Sequence, residues 1–126
     1  MQAVDTNVLV RMLARDDVKQ AAAADAVVAK GAWVSLLVLA ETIWVLEAVY
    51  ERTARQLGAA LELLLAHETL VLQDADVVAR ALVHFRAKPT LGLSDCLVLE
   101  VARKAGQLPL HTFDKALGRL EGASRL

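Results

Sequence analysis

Four acidic side chains stand out by their placement. Asp5 directly follows the short apolar segment Gln2-Ala3-Val4, and Asp114 directly follows Leu108–Phe113. Glu41 falls in the first turn or so of a helical stretch after Trp33-Val34-Ser35. Asp95 falls in the first turn of another, after the loop Lys88-Pro89-Thr90-Leu91-Gly92. In an open parallel α/β sheet, ligands bind beyond the carboxyl ends of the strands. If the apolar segments are parallel strands, these four positions converge on one rim. Four carboxylates held close together repel one another, and a hard divalent cation with oxygen ligands removes that repulsion. An acidic site holding one or two such ions hydrolyses phosphodiesters: the ion orients or generates the attacking hydroxide and stabilises charge on the departing oxygen. Helix N-termini on the same rim add backbone donors for a phosphate.

The four acids differ in how well the sequence supports them. Glu41 lies among Val38, Leu39, Ala40, Ile43, Trp44 and Val45, with only Thr42 interrupting. Acids are almost never fully buried unless paired, so a carboxylate there should be neutralised or bound to something. Asp5 ends the strand expected to be central. Taken singly, Asp95 and Asp114 also read as ordinary helix caps. The remaining acids, such as Asp16, Asp17, Asp25, Glu62 and Asp74, read as helix surface or caps.

These side chains must be positioned by an alternation of strands and helices. After Gln2–Val4 a helix carries Val8, Leu9, Met12 and Leu13 on one side, capped by Thr6 or Asp5. Val18–Lys30 is alanine-rich and helical, with Gly31 as its stop. Trp33–Ser35 is a second strand, Leu37–Glu51 a third helix, and Thr53–Glu68 a fourth, with Leu57, Leu61, Leu64 and Leu65 at helical spacing. Thr69–Leu72 is a strand, and Asp74 caps a helix to about Arg86. Ser94 caps a further helix that Gly106 ends. Leu108–Phe113 is the fourth strand, and Asp114 opens a final short helix. No hairpin signal appears, so the pattern is an α/β domain with a parallel sheet and right-handed crossovers. The strands are short and continuously apolar, as sheets covered on both faces require.

Composition bounds the rest. The chain has 126 residues, the length of one ordinary domain, and 56% of them are hydrophobic, which excludes disorder. Fourteen Lys and Arg against fifteen Asp and Glu give a net charge of −1. That excludes a protein binding nucleic acid by bulk charge alone. One cysteine can form neither an internal disulfide nor a thiolate metal cluster, which fits a reducing, cytoplasmic setting. The start has no basic n-region, and Glu41 and Glu47 interrupt the most apolar stretch, Ala32–Tyr50, so no membrane span is expected.

The motifs together resemble a known family. Val4-Asp5-Thr6-Asn7-Val8-Leu9, Leu39-Ala40-Glu41-Thr42, Leu93-Ser94-Asp95-Cys96 and Leu110-His111-Thr112-Phe113-Asp114-Lys115 match, in order and spacing, the PIN domain. It resembles in particular the small stand-alone PIN proteins of bacterial and archaeal toxin–antitoxin pairs, the VapC-type toxins. The resemblance spans about residues 2 to 120. It implies a PIN-like (Rossmann-like) three-layer α/β fold, a short-stranded parallel sheet flanked by helices, in a single domain over 1–126. It also implies Mg2+- or Mn2+-dependent endonucleolytic cleavage of RNA, with Asp5, Glu41, Asp95 and Asp114 as metal-binding acids. Asn7 and Thr112 would be polar helpers orienting the acids or a water. A cognate antitoxin whose C-terminal segment covers the site, and a homodimer, are the implied partners.

Other residues carry weaker signals. Arg11 with Arg15, and Lys115 with Arg119, are i,i+4 pairs on the helices that begin at Asp5 and Asp114, placed to meet RNA phosphates or simply to face solvent. Arg86 and Lys88 flank the loop before Asp95. Aromatics are 4% of residues, so extended base stacking should not dominate. Cys96 reads as a small buried apolar residue, and the histidines show no zinc spacing. The leucine stripe of the fourth helix, with Trp44 and Tyr50, fits core packing or a dimer or antitoxin groove. Two other functions fit the acids less well. A scaffold could bind metal and partners without turnover. An aspartyl-phosphate phosphatase needs a second Asp two residues after the nucleophile, where Asn7 stands.

Overall fold

The computed structural model describes residues 1–126, which form two compact units, Met1–Ala75 and Asp76–Leu126. In the first unit, β1 (Gln2–Ala3), β2 (Ala32–Val34) and β3 (Leu70–Leu72) make a three-stranded sheet in the order β1-β2-β3. Both pairings are parallel, with Gln2 opposite Ala32 and Ala32 opposite Leu70. The parallel sheet is as expected. β2, rather than β1, is its middle strand, so Asp5 follows an edge strand of this sheet.

Four helices complete this unit: α1 (Thr6–Ala14), α2 (Val18–Ala29), α3 (Leu36–Ala48) and α4 (Ala54–Ala66). Side-chain caps start each one. Asp5 accepts from the Val8 N–H, Asp17 from Gln20, Ser35 from Val38, and Thr53 and Gln56 form a reciprocal capping box. Gly31 ends the α2 connection at φ +94°, a conformation that needs glycine. Leu9, Val28, Val34, Leu39, Leu61 and Leu64 are almost fully buried. Leu57, Leu61 and Leu64 of α4 therefore go to the core and Leu65 is half-buried, while Trp44 is 61% exposed.

The second unit holds α5 (Ala75–Ala87, all but its first residue), a single 3-10 turn at Pro89–Leu91, α6 (Leu93–Lys104), β4 (Leu110–Thr112) and β5 (Ala123–Arg125). β4 and β5 pair in parallel, Leu110 opposite Ala123. Sequence reading misses β5, because Ala-Ser-Arg has no apolar run. The expected helix after Asp114 is a single 3-10 turn, Leu117–Arg119. Between that turn and β5 the chain must pass close to itself: a Cβ on Gly118 would lie 2.7 Å from the Arg125 Cβ. Gly92 at φ +79°, not Ser94, precedes the first turn of α6. The core of this unit is Val78, Ala81, Phe85, Leu93, Cys96 and Leu99. No helix is long and apolar enough to cross a membrane.

Candidate functional site

Two of the candidate acids belong to the first unit. Val4 continues the β1 direction by donating its N–H to the Trp33 carbonyl at 3.1 Å. Asp5 then turns the chain in an extended conformation, and its Oδ1 accepts from the Val8 N–H at 3.2 Å. One carboxylate oxygen is committed to the cap, and the side chain is exposed. Asn7, also exposed, lines a cleft of about 410 Å³ with Arg11, Gln20 and Val27.

Glu41 occupies the second turn of α3. The expectation that it is buried is overturned: it is exposed. At 3.6 residues per turn, Leu39, Thr42, Ile43 and Leu46 take the core face, while Leu37, Glu41 and Trp44 share the outward one. Of the apolar residues near Glu41 in the sequence, Leu39 and Ile43 are on the other side of the helix and Trp44 is itself exposed. No burial penalty calls for a bound ion there.

The other two acids belong to the second unit, and they act on each other. Asp95 lies in the first turn of α6, where the helix N-terminus favours an anion. Its carboxyl is nevertheless held above the ordinary range, first by partial burial and then by the charge of Asp114. Asp114 is fixed on both sides: its N–H donates to Thr112 Oγ1 at 3.0 Å, and its Oδ1 accepts from the Leu117 N–H at 2.8 Å. Thr112 thus braces the turn that presents Asp114.

The cations divide into two groups. Arg11, expected at phosphates, donates to Asp16 at 3.2 Å, to Gln20, and to the Tyr50 hydroxyl at 3.0 Å. That hydroxyl in turn donates to Asp16 at 2.8 Å and holds its carboxyl below the usual range. Arg15 forms a two-pronged pair with Asp25 at 3.1 and 2.8 Å. Both arginines are matched inside their own unit and serve its packing. Lys115 and Arg119 are exposed and make no ion pair.

Sequence reading passes over two features of the second unit. Glu100 is only 2% exposed, and its carboxylate accepts from the Arg103 Nε at 3.1 Å and contacts His84 Nε2 at 3.1 Å. Its signal was present in Val98-Leu99-Glu100-Val101, an acid in an apolar run. Phe113, beside Asp114, is 81% exposed. Cys96 is fully buried, and burial pushes its thiol up to about 11, so it is an unreactive core side chain.

The donor chemistry suits a hard dication. All four acids offer carboxylate oxygens, none is neutralised by a Lys or Arg, and the repulsion at Asp95 is one that a dication relieves. No three or more His, Cys, Asp or Glu side chains are gathered in a metal-holding group. No curated protein matches the chain. The family model described as PIN domain matches residues 3–123, from the end of β1 to the start of β5. The chain therefore belongs to the PIN domain family, whose members are generally metal-dependent nucleases.

Proposed function

We propose that residues 1–126 act as one PIN domain and that the protein is a Mg2+- or Mn2+-dependent endoribonuclease, the toxin of a type II toxin–antitoxin pair of the VapC type. The observation that carries this reading is the family match over residues 3–123, which takes in all four motif acids. In this reading Asp5, Glu41, Asp95 and Asp114 hold the metal. When bound, the ion supplies Lewis-acid stabilisation of charge on the phosphodiester oxygens.

The chain's own residues do the rest. Asp5 keeps one oxygen on its helix cap and offers the other. Asp114 is held by Thr112 and the Leu117 N–H, so its free oxygen is oriented without the entropy cost of a mobile side chain. Asn7 adds a neutral polar group two residues from Asp5. Lys115 and Arg119, unpaired and exposed, are the cations available to RNA phosphates. Arg11 and Arg15 are not carried forward in that role, because each is satisfied by a carboxylate. Exposed Leu37 and Trp44 offer apolar surface to a second copy or to the antitoxin segment that covers the site.

The test is cleavage of RNA by the purified chain with Mg2+ or Mn2+, compared with Asp5→Asn and Asp95→Asn. Loss of an outer-shell partner costs roughly 10- to 100-fold, so removing a ligand should cost more. Expression of the active chain should arrest growth, and the same substitutions should relieve the arrest. Undiminished cleavage by either variant overturns the assignment of the acids. RNA binding without turnover under any divalent ion returns the protein to the scaffold reading.

A further inference from the structure

Phe113 sits in the open where a phenylalanine gains nothing from burial. It is 81% exposed, whereas the only other phenylalanine, Phe85, is 3% exposed. The backbone that carries it is braced. The residue before it, Thr112, accepts the N–H of the residue after it, Asp114, and Asp114 in turn caps the Leu117 N–H. The ring is therefore carried on a braced turn, directly beside the candidate metal acid Asp114. Unpaired cations surround it in the sequence and the sheet. Lys115 follows Asp114, Arg119 lies in the next 3-10 turn, and Arg125 stands opposite Thr112 in the β4–β5 ladder. An exposed ring on a braced turn, with unpaired cations and candidate metal acids close by in the sequence and the sheet, has the parts of a nucleotide subsite: a π-face for a base and positive charge for the phosphates beside it.

We propose that Phe113 is a stacking platform for one unpaired RNA base next to the phosphate being cleaved, with Lys115 and Arg119 on the adjoining backbone. This rests on the endoribonuclease reading and adds to it the side chain that receives an unpaired base, because only an unpaired base can turn its face to a ring. Stacking is tolerant of base identity, so the subsite sets strandedness and position more than sequence.

The experiment uses the full chain with a single-stranded RNA oligomer carrying one 2-aminopurine, in Ca2+ so that binding is read apart from cleavage. Anisotropy gives the affinity, and 2-aminopurine quenching reports stacking. Phe113→Leu should weaken binding roughly 5- to 150-fold, the range for loss of one base–aromatic stack, and should abolish the quench. Phe113→Tyr and Phe113→Trp should keep both. The ring is exposed, so thermal melting of the variants should match the parent and separate binding loss from unfolding. Equal affinity and equal quench in Phe113→Leu overturns the proposal. So does a Phe113→Leu variant with altered sedimentation but unchanged RNA binding, which assigns the ring to a protein contact. RNA binding and quenching by a parent that cleaves nothing with Mg2+ or Mn2+ sinks the nuclease reading and leaves the stacking site standing. Cleavage with no dependence of binding on residue 113 does the reverse.

Discussion

Replacing Asp95 by Asn should make the metal-free protein more stable while removing its activity. Two effects oppose each other at this position. The first turn of α6 favours a negative charge, and a surface charge there contributes about 0.3–1 kcal/mol. Partial burial and the neighbouring Asp114 disfavour it, and the raised carboxyl pKa shows that these two win. The surplus belongs to a solvent-exposed pair, so screening keeps it small, about 0.3–1 kcal/mol at low salt. For a chain of this length that is a gain of about 1–4 °C in melting temperature. The sign with pH follows from linkage. A carboxyl whose folded pKa lies above its ordinary value of 3.8 favours the fold only while protonated, and that contribution is lost as pH rises through the folded pKa. Parent and Asp95→Asn should therefore melt alike well below pH 3.8, and the variant should pull ahead as the solution becomes less acidic. If Asp95 is a metal ligand as proposed, Mg2+ should reverse the order at neutral pH, because a ligand at a hundred times its Kd adds about 2.7 kcal/mol to whichever form binds it. Calorimetry at several pH values, with EDTA and with Mg2+, reads all three effects. A variant less stable than the parent in EDTA at pH 7, or a gap that ignores pH, would refute the argument.

Two further substitutions test the frame of the second unit. Glu100→Gln removes the carboxylate that Arg103 and His84 share, and it should cost about 1.5–3 kcal/mol, seen as a lower urea midpoint at unchanged slope; an unmoved midpoint would mean that solvent compensates the Arg103 guanidinium. Gly118→Ala places a methyl 2.7 Å from the Arg125 Cβ and against its backbone. The backbone at Gly118 is not left-handed, so the cost is steric alone, about 1–3 kcal/mol, and a melting temperature equal to the parent's would show that β5 gives way freely.

The same physical argument, that an acid inside an apolar run must be buried and matched, is wrong for Glu41 and right for Glu100. Both follow a leucine-rich stretch within a helix, and sequence distance alone makes them look alike. Helical phase separates them. Glu41 falls between the buried positions Leu39 and Thr42 and faces outward, whereas Glu100 falls beside Cys96, Leu97 and Leu99 on the inner face of α6. Its burial is then made tolerable by Arg103 one turn on and by His84 from α5, a partner that no local pattern announces. The same division runs through the rest of the chain. Parallel strands, helix caps at Asp5 and Asp17, and the leucine face of α4 are set by residues within a few positions of one another, and they are legible in the sequence. β5 is not, because Ala123-Ser124-Arg125 has neither alternation nor an apolar run. Its strand character comes from pairing with β4 and from the glycine at 118 that lets the chain close on itself. The position of an acid at a strand end places it on an edge but does not say what its side chain meets. Only the folded chain distinguishes Asp5, half committed to a cap, from Asp95, part-buried and facing the charge of a neighbour nineteen positions away, and those two effects, burial first, are the reason the metal-free protein should gain stability from losing Asp95.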